Sequence, residues 1–194
     1  MPSKSRIGPG AGRVPALLVA LLAALLLAGP AAAQLMPENA MTLAVRSGDP
    51  MEVERAFLTG MTANERSARG VPVLLDAVRL GDERIVVLLL ERGARVDAPD
   101  RDGATALSEA VRANRPDIVT LLLDAGADPD KAVEGGDTPL MIAARLDHVA
   151  VLEELIAAGA YLNDTDRTGR TALMLAEERR HGKAAEILRA AGAE

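Results

Sequence analysis

Apolar and polar positions along this chain recur with a spacing of 33 residues. Leu74, Leu107, Leu140 and Leu173 form one such column, and Ala44, Ala77, Ala110, Ala143 and Ala176 form another. Gly60, Gly93, Gly126, Gly159 and Gly192 punctuate the same pattern, as do Gly70, Gly103, Gly136 and Gly169. Self-similarity at a fixed period marks a repeat architecture, here five units at 34–66, 67–99, 100–132, 133–165 and 166–194. Each unit predicts two short helices. In the third, Thr105 is placed to cap a helix over about 106–113. Pro116 opens a second helix, at a turn where its missing N–H costs nothing. Gly126 stops that helix after about residue 124 as a left-handed cap. Between the helices stand Gly48, Gly81, Asn114 and Asp147, all tolerant of positive φ; Arg180 breaks the series and predicts a distorted last turn. The alanine column is small because paired helices approach closely there, and the leucines are the matching core. No unit can bury its apolar face alone, so stacking must supply the core. The expected fold is an all-α solenoid of about five 33-residue units.

The stretches "DGATAL…AVRANRPDIVTLLLDAGADPD" and "GDTPLMIAA…VLEELIAAGAYLN" resemble ankyrin repeats. The period, the Thr-x-Leu opening, the central alanine and the Leu-Leu-x-x-Gly-Ala ending occur together, closely over 67–193 and loosely over 34–66. The resemblance implies antiparallel helix pairs joined by hairpin loops, an L-shaped section, and a concave face that binds proteins. It makes 67–194 four ankyrin repeats and 34–66 a degenerate N-terminal capping repeat. In that first unit Pro37 replaces the opening glycine, and Glu52 and Arg55 replace the Ile or Leu of later units, as a polar outer cap requires. The family often has His after Thr-Pro-Leu; here that place holds Leu75, Ser108, Met141 and Met174, and Pro139 alone keeps the proline. The missing histidine bonds predict less stable individual repeats.

The first 33 residues predict a secretory signal peptide. Lys4, Arg6 and Arg13 are its basic region, 14–28 its apolar stretch, and Gly29 and Pro30 break that stretch. The stretch is short of the ~20 residues of a membrane span, and the alanines at 31–33 place a cut after Ala33. Without a twin arginine the general secretory route is expected, and with no cysteine after the apolar stretch a lipid anchor is excluded. The periplasm is the expected destination and the medium the second choice. Cleavage leaves 19 basic residues against 28 acidic ones, a formal charge of −9 in place of −6. Such an acidic domain suits neither nucleic acid nor an anionic membrane. Phe57 and Tyr161 are the only aromatics, too few to stack single-stranded nucleic acid.

The absence of cysteine excludes disulfides, thiol nucleophiles and thiolate metal sites. His148 and His181 share one repeat position. Stacking sets such equivalents about 10 Å apart, too far for two ligands of one metal whose bonds are about 2 Å. A structural role is expected for both, with no cofactor. The carboxylates fall at turns and exposed helix positions, and no phosphate loop or nucleophile elbow occurs. Asp97, Asp130 and Asn163 share a position where short polar side chains bond hairpin backbone.

One column is not core. Arg46, Arg79, Arg112 and Arg145 stand one period apart near the ends of the first helices, with Glu178 as the fifth member. The resemblance places that position on the concave face. Guanidinium groups pair well with carboxylates, so the row predicts a site for an acidic stretch of a partner protein. The competing expectation is that these side chains stay solvated with their stems over apolar surface. Leu80 and Leu146 lie beside the row as apolar anchors. The hairpin tips, with Arg101, Asp102, Glu134, Arg167 and Thr168, form the other edge. The function expected is a non-enzymatic, exported, monomeric protein-binding module. An inhibitor or immunity-type protein that blocks an enzyme is the alternative.

Overall fold

Six of the ten helices among the described residues begin where a side-chain oxygen takes a free amide. The computed structural model describes residues 38–133 and 135–194; residues 1–33, where a signal peptide is expected, residues 34–37 of the first unit and Glu134 lie outside them. Thr105 Oγ1 accepts from Ser108 N at 3.2 Å and Ser108 Oγ accepts from Thr105 N at 3.0 Å, a reciprocal capping box. Thr138 and Thr171 accept from Met141 N and Met174 N without a return bond, and Asn39 accepts from Thr42 N. Pro72 holds this place in the second unit and offers no side-chain cap.

Ten helices follow among the described residues, in five pairs. They are α1 (Ala40–Ser47) with α2 (Pro50–Leu58), α3 (Val73–Leu80) with α4 (Glu83–Glu91), and α5 (Ala106–Arg112) with α6 (Pro116–Asp124). Then come α7 (Pro139–Leu146) with α8 (Val149–Ala157), and α9 (Ala172–Glu178) with α10 (Gly182–Ala191). The third pair matches the expected ends to within one residue. First helices pack on first helices along the stack, and second helices on second. The leucine column, continued by Met41, and the alanine column are buried throughout, and one continuous apolar core joins all five pairs. The ankyrin-type solenoid of stacked helix pairs is therefore the observed fold.

The turn inside each pair is the same in all five. Gly48 (φ 72°), Gly81 (76°), Asn114 (51°), Asp147 (57°) and Arg180 (62°) are all left-handed. The last turn is thus not distorted, contrary to expectation. The tight antiparallel reversal imposes its backbone conformation, and Arg180 adopts it at a cost that glycine would not incur.

The position where the family often has His differs from repeat to repeat. Leu75 and Met141 are buried, Ser108 is consumed in its capping box, and Met174 is 45% exposed. Thr42 is the discordant member: its hydroxyl is buried without a partner. In the first unit, Glu52 and Arg55 pair at 2.6 Å on the outer side of α2.

A second periodic device ties hairpin to hairpin. Asn64 Oδ1 accepts from Arg95 N at 2.8 Å, Asp97 from Asp128 N at 3.2 Å, Asp130 from Tyr161 N at 2.7 Å, and Asn163 from Glu194 N at 2.9 Å. Each bond reaches 31 residues on. The backbone served belongs to the next repeat's hairpin, not the residue's own. Asp130 carries a penalty for its charge: burial, and repulsion from Asp164 and Asp128, push its pKa up, while the Tyr161 amide opposes this.

Two stability outcomes follow. Arg180→Gly raises unfolding stability by about 1 kcal/mol, the cost of a left-handed L-residue, read from urea melts; an unchanged or lower midpoint would show that this turn is not strained. Asp130→Asn keeps the acceptor oxygen and removes the charge, as Asn64 and Asn163 do naturally. A raised folded pKa means that stability is fully present below the unfolded pKa and is lost as the pH rises through the folded one. The variant therefore gains stability at pH 7, and the gain disappears in acid below the ordinary aspartate range. A gain that persists in acid would exclude charge as its source.

Candidate functional site

Arg46, Arg79, Arg112 and Arg145 sit in the last turns of α1, α3, α5 and α7, where a cation meets the negative end of the helix. Three of the four are already engaged by the protein's own carboxylates. Arg46 donates to Glu38 at 2.7 Å and to Asp76 of the next repeat at 2.9 Å. Arg79 donates to Asp100 at 3.2 Å and to Glu109, again of the next repeat, at 3.3 Å. Arg145 pairs with Asp137. In the fifth repeat the polarity is reversed: Arg170 donates to Glu178 at 3.3 Å and to Asp166 at 2.8 Å. Arg112 is exposed and makes no ion pair among the described residues. The expected row of open guanidinium groups is thus largely a row of internal ion pairs, because the stacking register brings acids to it.

The acids occupy telling positions. Asp76 is only 8% exposed, and the same repeat position holds Glu109, then the fully buried Ile142 and Leu175. A carboxylate at a core-facing position is tolerated because the preceding repeat supplies a cation. Glu38 is held below the ordinary glutamate range by the amide of Ala68, with burial opposing and Arg46 assisting. Asp166 is held far below its ordinary range by bonds from the Thr168 hydroxyl and the Arg170 amide, with the Arg170 side chain adding to them.

Between the hairpin tips and the first helices lies a hollow of about 390 Å³ whose lining includes Arg79, Asp102, Glu109 and Arg112. Tips and first helices therefore share one face. Arg101 lies across Gly70 of the preceding tip, its Nε 3.1 Å from where a side chain there would begin, and Arg167 lies likewise across Gly136. Both arginines are exposed, with no ion pair among the described residues. On the helix side, Leu80 is 46% and Leu146 43% exposed. The same position in the neighbouring repeats holds Ser47, Ala113 and Arg179, all exposed. Of the predicted site residues, the hollow brings Arg79, Arg112 and Asp102 together; Glu134 is not among the described residues.

The histidines are ties between repeats. His148 Nδ1 lies 2.8 Å from Val111 O, and His181 Nε2 lies 3.1 Å from Arg145 O. Arg115, at the same repeat position, donates to Gly81 O at 2.9 Å. Sequence reasoning missed this third member and the internal ion pairs. A signal existed for the pairs: opposite charges eight residues apart in Glu38/Arg46, Asp137/Arg145 and Arg170/Glu178, and 30 apart in Arg46/Asp76 and Arg79/Glu109. Among the described residues no group of three or more His, Cys, Asp or Glu could hold a metal ion.

The family model for ankyrin repeats (3 copies) matches residues 41–133 and 129–194. No curated protein matches the chain.

The Arg46–Asp76 pair generates a test with opposite signs. Arg46→Leu strands a nearly buried carboxylate and lowers stability by about 1–2 kcal/mol, below the 3–5 of a fully buried pair because the Arg46 side chain is 40% exposed. Asp76→Leu restores the apolar residue type of Leu175, and its thermal midpoint stays level or rises. Equal losses for both substitutions in calorimetry would mean that the pair itself stabilises the stack.

Proposed function

Because the chain belongs to the ankyrin repeat family, we propose that it is an exported, non-enzymatic module that binds a partner protein through the face shared by its first helices and hairpin tips. Ankyrin repeats are generic protein–protein interaction modules, and the family is typically non-enzymatic. The observation that carries the choice of face is the pair Leu80 and Leu146. Two large apolar side chains are left nearly half exposed at one repeat position, amid a polar surround. The ion pairs on either side change the reading of the arginines. Arg46, Arg79 and Arg145 hold the groove wall in shape, and an acidic stretch of the partner has to compete with Glu38, Asp76, Asp100, Glu109 and Asp137 for them.

The periplasm is the proposed site of action. This rests on the basic region, the short apolar stretch and the small residues at 31–33. The module acts as a monomer by equilibrium binding. Its formal charge of −9 after cleavage disfavours nucleic acid and anionic lipid as partners.

A photo-crosslinking amino acid placed in the exported protein tests both parts. Ala113 is exposed on the proposed face and Ala157 is exposed at the end of α8. The expected result is a periplasmic protein with a mass starting at Gln34, and one crosslinked partner obtained from position 113 but not from position 157. A partner captured only from 157 would move the site to the second helices. A protein retained uncut in the membrane fraction would overturn the export reading.

A further inference from the structure

We infer that the occupant of this face is an amphipathic α-helical segment of the partner protein, with apolar side chains fourteen residues apart and a carboxylate midway between them. The inference rests on reading the face as the partner site. It uses three observations together. First, Leu80 and Leu146 are two repeats apart and exposed, with the small Ala113 between them at the same repeat position. Second, Arg46, Arg79 and Arg145 are neutralised internally, while Arg112, exposed beside Ala113, has no ion pair among the described residues. On the helix side of the face the charge complement is therefore one carboxylate at the centre rather than a run of them, since a run there would have to break existing pairs; Arg101 and Arg167, which also make no ion pair among the described residues, lie on the hairpin-tip edge.

Third, the spacing selects the conformation. Successive repeats present equivalent positions about 10 Å apart, the helix-packing distance. Seven residues of α-helix rise about 10.5 Å and return to nearly the same face. A helix can thus set residues i, i+7 and i+14 against Leu80, Ala113 and Leu146 in register, the middle one beside Arg112. An extended strand covers about 10 Å in three residues, and an odd step turns the middle side chain away. The strand can meet both leucines or the arginine, but not all three evenly. Apolar contacts fix the ends, and the single charge pair fixes direction and register.

The test uses two fluorescent peptides of identical composition on a helix-forming alanine–glutamine background. One carries leucines fourteen positions apart with a glutamate midway. The other moves the second leucine to nine positions from the first, on the opposite side of the helix. Anisotropy titrations use residues 34–194 in native form, Leu80→Ser/Leu146→Ser, Arg112→Glu and Ala113→Trp, each shown by circular dichroism to be fully helical. The expected result is saturable binding of the in-register peptide, weaker by about tenfold or more for the control peptide and for the leucine variant. Arg112→Glu weakens it too, and a lysine in place of the central glutamate restores it. Equal binding of the two peptides, absence of binding, or indifference to the leucine variant overturns the inference. The tryptophan variant separates the two readings. Binding lost there but kept in the leucine variant leaves the face as the site and removes the helical anchor. Binding kept in both places the site elsewhere.

Discussion

A helix pair in this chain has apolar side chains on more surfaces than it can cover by itself, and the rest of the structure follows from that. Leu107 and Ala110 of one repeat are buried only because Leu74 and Ala77 lie on one side and Leu140 and Ala143 on the other. Stability is therefore a property of interfaces between repeats, and each repeat depends on its neighbours. The polar groups obey the same rule. The hairpin amides of Arg95, Asp128 and Tyr161 are satisfied by side chains of the preceding repeat, and the turn carbonyls of Gly81, Val111 and Arg145 by side chains of the following one. Bonds run in both directions along the stack, so neither a core residue nor a hairpin can move without its neighbours.

Charge is handled by the same geometry. Asp76 and Glu109 stand where later repeats place Ile142 and Leu175, and the cost of their burial is offset by an arginine from the repeat before. The first half of the stack is thus joined on this face by ion pairs, and the second half by aliphatic packing. A face organised in this way is close to electroneutral within an acidic domain. Its recognition properties then depend on what the internal pairs leave over: exposed leucines, small residues, a cation at the centre of the helix side, and Arg101 and Arg167 at the tips. That combination suits a shaped, mostly apolar partner surface better than a polyanion.

The period, the helix ends and the core columns were legible in the residues themselves, because they depend on local chemistry. Threonine caps, proline at a first turn and small or large apolar residues act within one helix or one turn. The expectation for Arg180 failed for the opposite reason. Side-chain preference at a turn is weak beside the requirement that two packed helices be joined, so the backbone takes the left-handed conformation whichever residue stands there.

The chain by itself determined the solenoid, its register, and which residue types recur on which face, since a strict period converts one local solution into five. It also determined that Arg46, Arg79, Arg112 and Arg145 share a face. Only the tertiary structure decided what those arginines touch. Their partners lie eight, 21 or 30 residues away, and the distance to those in the next repeat is set by how far one repeat is shifted against the other. That shift is a consequence of core packing, to which the charged residues contribute little, and so the spacing of opposite charges is a signal for the pairs that only the packed stack turns into contacts.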